Sequence, residues 1–215
     1  MILPKMREDG KGHFSYSQYN KWKTNKKEYI KQYFLGEKFE GNAYTEFGTL
    51  IGEALENNDF SAFTKKEQEV LSQITRLDEF ERKIEFDLGD FVLLGFIDSN
   101  DSYAPDVVKT IIDYKTGAMN KIELYESDDY EQVTIYAGAI EQETGKLPEK
   151  GWVELIERTG NPFRGEELKL GKQVVVIPQD VSKEAVEAVK KKIIKVAKDV
   201  SAHYKVFEKL NSIEI

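Results

Sequence analysis

The sequence predicts an α/β fold, a central mixed β-sheet flanked by helices. Three observations carry this. Apolar residues recur with helical spacing in some stretches and alternate in others, in the order helices, three-strand meander, helix, two strands, helix. No repeat, low-complexity tract or evident linker divides the 215 residues, a length that suits one domain with a real core. Hydrophobic content of 40% beside 33% charged residues fits a folded chain, not a disordered one. The expected organisation is a single domain over 1–215. A helical part spans 13–80, a sheet core 81–180 and a C-terminal helix 181–210.

The elements follow in order. "HFSYSQYNKWKTNKKEYIKQYFLGE" opens a helix in which Ser15 and Gln18 have capping-box spacing. "YTEFGTLIGEALENN" is a second, with Phe47, Leu50, Ile51, Ala54 and Leu55 on its apolar face. Lys65–Leu77 is a candidate third helix. In "RKIEFDLGDFVLLGFIDSND" Ile84, Phe86 and Leu88 alternate with acids, and Gly89-Asp90 supplies a turn between two strands. "KTIIDYKTG" is the next strand, and "DDYEQVTIYAGAIEQETG" is a helix closed by Gly145 and Pro148. "GWVELIERT" and "KQVVVIP" are two more strands. Val186, Val189, Ile193, Val196, Val200, Tyr204 and Phe207 recur at threes and fours, the core stripe of a long final helix.

Composition narrows the chemistry. Cysteine is absent, which excludes disulfides, thiolate zinc sites, iron–sulfur clusters and cysteine nucleophiles. His13 and His203 are the only histidines, so a metal here would be held mainly by oxygen, which favours Mg²⁺ or Mn²⁺. No apolar run approaches the ~20 residues of a membrane span, and "MILPKMREDG" lacks the apolar stretch of a secretion signal. The expectation is a cytoplasmic protein with no membrane partner. Net charge is −8. Residues 1–40 hold nine Lys/Arg against five Asp/Glu, residues 41–100 five against thirteen, and residues 181–215 eight against five. Basic ends around an acidic middle suit a metal site inside a phosphate-binding groove.

The acidic middle has a focus. In "IIDYKTG" Asp113 and Lys115 stand two apart on a strand and share a face. If the preceding strand turns back at Pro105-Asp106, the residue across from Asp113 is Asp98. Opposed residues have Cβ atoms ~4.5–5.5 Å apart, and like charges there are destabilising unless something positive lies between them. A divalent cation meets that need, and Lys115 would stand beside it to orient water or offset charge.

At these residues the chain resembles the PD-(D/E)XK nuclease superfamily, in particular its RecB-like branch. "GFID" at 95–98 looks like that branch's second motif, "IIDYKTG" like its third, and "QVTIY" at 132–136 like its Q-x-x-x-Y motif. The resemblance implies a restriction-endonuclease-like core, metal ligation by Asp98 and Asp113, and a site wall with DNA contacts from Gln132 and Tyr136. "FGTLIGEALE" is similar to the first motif, where a histidine usually ligates metal; Gly52 stands there, leaving Glu53 and Glu56 as candidate third ligands. The N-terminal helix resembles that of relatives with an iron–sulfur cluster, but Asn25-Lys26 replaces their Cys-Pro, so no cluster is expected.

The expected activity is metal-dependent hydrolysis of DNA phosphodiesters, on single strands or ends, in recombination, repair or phage genome processing. No phosphate-cradling loop with its lysine occurs, so progressive action would need a helicase or recombination partner, or a homo-oligomer. Tyr16, Tyr19, Trp22, Tyr125 and Tyr130 are candidates for stacking on unpaired bases. Lys26-Lys27 and Lys190-Lys191-Lys192 are candidates for backbone phosphates. Two other readings stand beside this one. One is a catalytically silent nuclease fold that binds DNA or protein. The other is a hydrolase of small phosphate compounds.

Overall fold

The computed structural model describes residues 1–101 and 107–213. Its strands are β1 Gly12–Ser15, β2 Glu79–Asp87, β3 Phe91–Asn100, β4 Thr110–Gly117, β5 Lys150–Thr159 and β6 Lys169–Pro178. Its α-helices are α1 Tyr16–Thr24, α2 Lys26–Tyr29, α3 Ala43–Asn57, α4 Lys65–Leu71, α5 Ile122–Glu126, α6 Gln132–Thr144 and α7 Lys183–Asn211. The strands form one mixed sheet of six in the order β1-β3-β4-β5-β6, with β2 also on β3. The predicted fold class is the observed one.

The sheet is built around β3. On one side β2 pairs with it antiparallel, from Glu79↔Asn100 to Asp87↔Val92, through the turn at Gly89, whose φ of 86° needs glycine. The other side is divided. β1 pairs parallel with residues 91–94, and β4 pairs antiparallel only at Ser99↔Ile112 and Asn100↔Ile111. Between those two ladders, Gly95, Phe96, Ile97 and Asp98 have no strand beside them on that edge among the described residues. β4 pairs parallel with β5 along its whole length, with α6 in the crossover.

Both faces are covered. On one, α6 lies under the sheet and is buried at every position from Val133 to Ile140, as expected of a helix with no polar side. α7 packs outside it, with Val186, Val189, Ile193, Ala197 and Val200 buried. Gly138 sits where a Cβ would meet Phe86 and Val186 at 2.9 Å, so glycine sets the helix close to both. On the other face Ile51, Leu55 and Leu71 form a smaller core with Ile74, Ile156 and Leu170. Among the described residues no helix is long and apolar enough to cross a membrane.

The N-terminal part departs from expectation. The single helix expected from Ser15 onward is preceded by a four-residue strand and broken at Asn25. Asn25 leaves helical geometry at φ −152° and its side chain accepts from the Glu28 N–H, restarting the helix as α2, which ends in a π turn over Ile30–Phe34. Ser15 caps α1, accepting from Gln18 N at 3.2 Å. The third helix stops at Leu71 rather than Leu77; Ser72 to Ile74 turn instead, and Ile74 joins the smaller core. The short α5 was not expected. Pro105-Asp106 lie outside the described residues.

One buried acid ties three helices together. Glu131 is 4% exposed and precedes α6. It accepts from Tyr19 Oη at 2.6 Å and pairs with Lys23 at 3.0 Å and Lys192 at 2.6 Å. Burial opposes its charge, but these three donors outweigh that and hold its pKa below the ordinary value. Stability from such a carboxylate is present above the unfolded pKa of about 4.3 and lost as pH falls through the lower folded value. Glu131→Gln should cost about 1–3 kcal/mol at pH 7 by urea denaturation. The gap from wild type should close as pH drops below about 4.

Candidate active site

The bare edge of β3 is where the chemistry-bearing residues meet. Beyond Ser99↔Ile112 the next opposed pair is Asp98 with Asp113, the register that the sequence predicts. The ladder stops there for a visible reason. The Tyr114 N–H is taken at 2.7 Å by Asp98 Oδ2, not by a β3 carbonyl. The strands fork, and the Asp98 carboxylate occupies the fork.

Asp113 is fully buried. Its Oδ2 accepts from Lys115 Nζ at 2.6 Å and from Tyr130 Oη at 2.8 Å. Its Oδ1 is buried with no hydrogen-bond partner among the described residues. Such an atom normally costs about 1–3 kcal/mol, and more when charged. Asp98 is pushed up to about 7 by burial and by the negative charge of Asp113, against the pull of Lys115. Burial works against the charge on Lys115 too, but Asp113 and Asp98 outweigh it and hold the ammonium above its usual value. Lys115 is thus a charged donor between two acids.

Gln132 and Tyr136 join this set through hydrogen bonds. Gln132 Nε2 donates to Tyr136 Oη at 2.7 Å, one helical turn along α6. Gln132 Oε1 lies 3.1 Å from Tyr130 Oη, which donates to Asp113. Lys115, Asp113, Tyr130, Gln132 and Tyr136 therefore form one continuous chain of contacts. Burial and the Asp113 charge hold the Tyr130 phenol well above its ordinary pKa, so it remains a donor. Gly95 explains the packing: a Cβ there would meet Tyr136 Cε1 at 2.7 Å. The glycine of "GFID" makes room for the tyrosine ring beside the fork.

Two clefts meet at Lys115. One, of about 540 Å³, is bordered by Gly52, Glu53 and Glu56 of α3 together with Glu81, Asp98 and Lys115. A Cβ on Gly52 would find no atom within 4 Å, so the position is open. The other, of about 1050 Å³, is walled by Tyr16, Lys23, Phe39, Tyr125 and Tyr130 and reaches Lys115 and Gln132. Glu53 and Glu56 share a cleft with Asp98, yet among the described residues no three Asp, Glu or His side chains converge as a ready ligand set.

Several expected nucleic-acid contacts are structural instead. Tyr19 and Trp22 are each 1% exposed. Trp22 Nε1 donates to Asp199, and Lys26 pairs with the same carboxylate and lies over the indole. Lys192 is committed to Glu131 and Lys190 to Glu187. Tyr16, Tyr125 and Tyr130 do border the larger cleft, although Tyr16 and Tyr125 are largely buried.

Glu81 is the residue that the sequence reading missed. It interrupts β2 between Phe80↔Ser99 and Arg82↔Ile97, which puts it opposite Asp98. The Gly89-Asp90 turn could have revealed this, by the same arithmetic that pairs Asp98 with Asp113. Its left-handed backbone, φ 51°, could not have been read from composition.

A model of the PD-(D/E)XK nuclease superfamily matches residues 58–209. Among solved structures, a "Putative exonuclease" from Eubacterium rectale aligns with a TM-score of 0.56 at 14% identity, over 90% of this chain and 84% of that one. At that identity the likeness speaks of the fold alone. A second structure, SSO0001, aligns over 88% of this chain and 78% of its own at 15% identity, but with a TM-score of 0.39 it carries no argument. No curated protein matches the sequence.

Two outcomes follow from the fork. With EDTA at pH 8, above the raised pKa of Asp98, its charge opposes folding; Asp98→Asn should raise Tm by at least about 2 °C, the shift of roughly 1 kcal/mol at this size. Gly95→Ala should lower stability by about 1–3 kcal/mol through overpacking against Tyr136. In a double-mutant cycle that loss should shrink when Tyr136 is leucine.

Proposed function

Since the chain belongs to the PD-(D/E)XK nuclease superfamily, we propose that it hydrolyses DNA phosphodiester bonds with a divalent cation, Mg²⁺ or Mn²⁺, held by Asp98 and Asp113. The observation that carries the reading is the bare, buried Oδ1 of Asp113 beside Asp98. Two adjacent carboxylates and one oxygen without a partner, with Lys115 the one ammonium paired to them among the described residues, fit a hard cation with oxygen ligands. When bound, such a cation polarises a phosphoryl oxygen and lowers the pKa of a bound water.

The chain's own residues do the rest. Lys115, held as an ammonium by Asp113, orients the attacking water or offsets charge growing on the phosphoryl oxygens. Tyr130 fixes the Asp113 carboxylate through its hydroxyl, Gln132 lies beside that hydroxyl, and Gln132 in turn donates to Tyr136 as the two line the wall. The larger cleft, with aromatic edges, Lys23 and exposed Phe39 and Leu124, suits unpaired bases more than a duplex. Single strands or DNA ends are therefore the proposed substrate, and a helicase or recombination partner would supply them. Gly52 favours a second reading, a silent fold that binds DNA without cutting it.

The test is cleavage of end-labelled single- and double-stranded DNA with Mn²⁺, Mg²⁺ or EDTA. Cutting should require metal and prefer single strands. Lys115→Ala, with folding checked by circular dichroism, should slow it by about 100-fold or more. DNA that binds but stays intact with either metal would establish the silent fold instead.

A further inference from the structure

Glu81 stands out on several independent grounds. It is a non-glycine residue held in the left-handed region inside a strand, φ 51°. A bulky side chain rarely adopts that conformation, and its cost is about 1–3 kcal/mol. The ladder on either side of it, Phe80↔Ser99 and Arg82↔Ile97, pins it opposite Asp98. The kink changes the strand's facing. Arg82 reaches Glu143 of α6 and Ile84 and Phe86 join the larger core, whereas Phe80 packs in the smaller core on the opposite face. Glu81 thereby borders the cleft that holds Asp98 and Lys115. Its side chain is exposed, and among the described residues no hydrogen bond or ion pair holds its carboxylate. The neighbouring Arg82, by contrast, is committed to Glu79 and Glu143.

Glu81 falls between the pairs Phe80↔Ser99 and Arg82↔Ile97, and the Ser99↔Ile112 register carried one step further sets Asp98 across from Asp113, so the three acids, one from each strand, lie on one line across the sheet. The fully buried Asp113 contributes an oxygen with no partner. Acids are not placed in a row beside an orphaned oxygen for stability, since each adds repulsion to the others. We propose that Glu81 is the third protein ligand of the divalent-cation site, completing from the sheet a set whose helix side, at Gly52, is empty. The inference rests on the nuclease reading and names the ligand particular to this chain. The kinked backbone turns Glu81 to the cleft; the three carboxylates do not yet converge, and because the Glu81 side chain is exposed and unheld it closes on the ion by a change of rotamer, without rebuilding either strand. Glu53 and Glu56 border the same cleft but lie on α3, across it from the sheet.

The experiment is Mn²⁺ and Mg²⁺ binding to the full chain by calorimetry, without DNA, for wild type, Glu81→Gln, Glu81→Gly, Glu56→Gln and Asp98→Asn. Glu81→Gln and Glu81→Gly should each weaken Mn²⁺ binding by about tenfold or more. Glycine accepts the left-handed backbone, so Glu81→Gly should keep or raise Tm in EDTA while losing metal. That combination separates a ligand from a merely structural residue. Adding Gly52→His to Glu81→Gly should recover much of the affinity, because the space at Gly52 is open and imidazole is a good Mn²⁺ ligand. Unchanged affinity in both Glu81 variants would overturn the proposal, as would a loss confined to Glu56→Gln. Wild type that binds neither metal, or binds it equally well with Asp98→Asn, would overturn the metal site as a whole.

Discussion

One hydrogen bond organises the active end of this molecule, the Tyr114 N–H donated to Asp98 Oδ2 at 2.7 Å. β3 cannot share one edge with both β1 and β4 over the same residues. Where β1 ends and β4 has not yet joined, backbone groups need partners. A side-chain carboxylate supplies one, and in doing so holds the two strands apart. The fork puts Asp98 and Asp113 at opposed positions of one register in a poorly solvated place. Every nearby feature answers to that. Lys115 offsets the charge, Tyr130 donates to it, Gln132 lies beside the Tyr130 hydroxyl and donates to Tyr136, and Gly95 yields space to Tyr136.

The site is electrostatically uncomfortable without a cation, and the rest of the fold absorbs the cost. α6 is buried on all sides between the sheet and α7, so the residues at its start are fixed to within the tolerance of packed side chains. Glu131 locks that same end of α6 to α1 and α7 with charge-assisted bonds. Its charge is matched by two lysines and a phenol, which is why it is a structural acid. Asp113, by contrast, has one lysine, one phenol and an oxygen left over.

Exposure separates cleft-lining residues from packed ones among the aromatic and basic side chains. Trp22 and Tyr19 are in the core, and Lys26, Lys190 and Lys192 are paired with acids of the chain itself. What faces the larger cleft is a narrower set, which includes the exposed apolar side chains Phe39 and Leu124. Lys115 lies where that cleft meets the acidic one.

The sequence by itself determined the class of fold, the meander, the Asp98–Asp113 register and the common face of Gln132 and Tyr136. These are local quantities. Periodicity tells which side of an element is buried, and a turn dipeptide fixes which residues of its two strands are opposed. Tertiary structure decided the rest, because each remaining feature is a competition between distant groups. β1 is four residues long and exists by pairing with β3. The helix after it breaks because the Asn25 side chain outbids the backbone for the Glu28 N–H. Trp22 is core because α7 brings Asp199 to its indole. The fork opens because a carboxylate wins a backbone N–H from a ladder, and Glu81 turns to the cleft because its own strand kinks beside it. Nothing in a one-dimensional pattern records which of two acceptors a buried N–H will find; only the packed chain settles that.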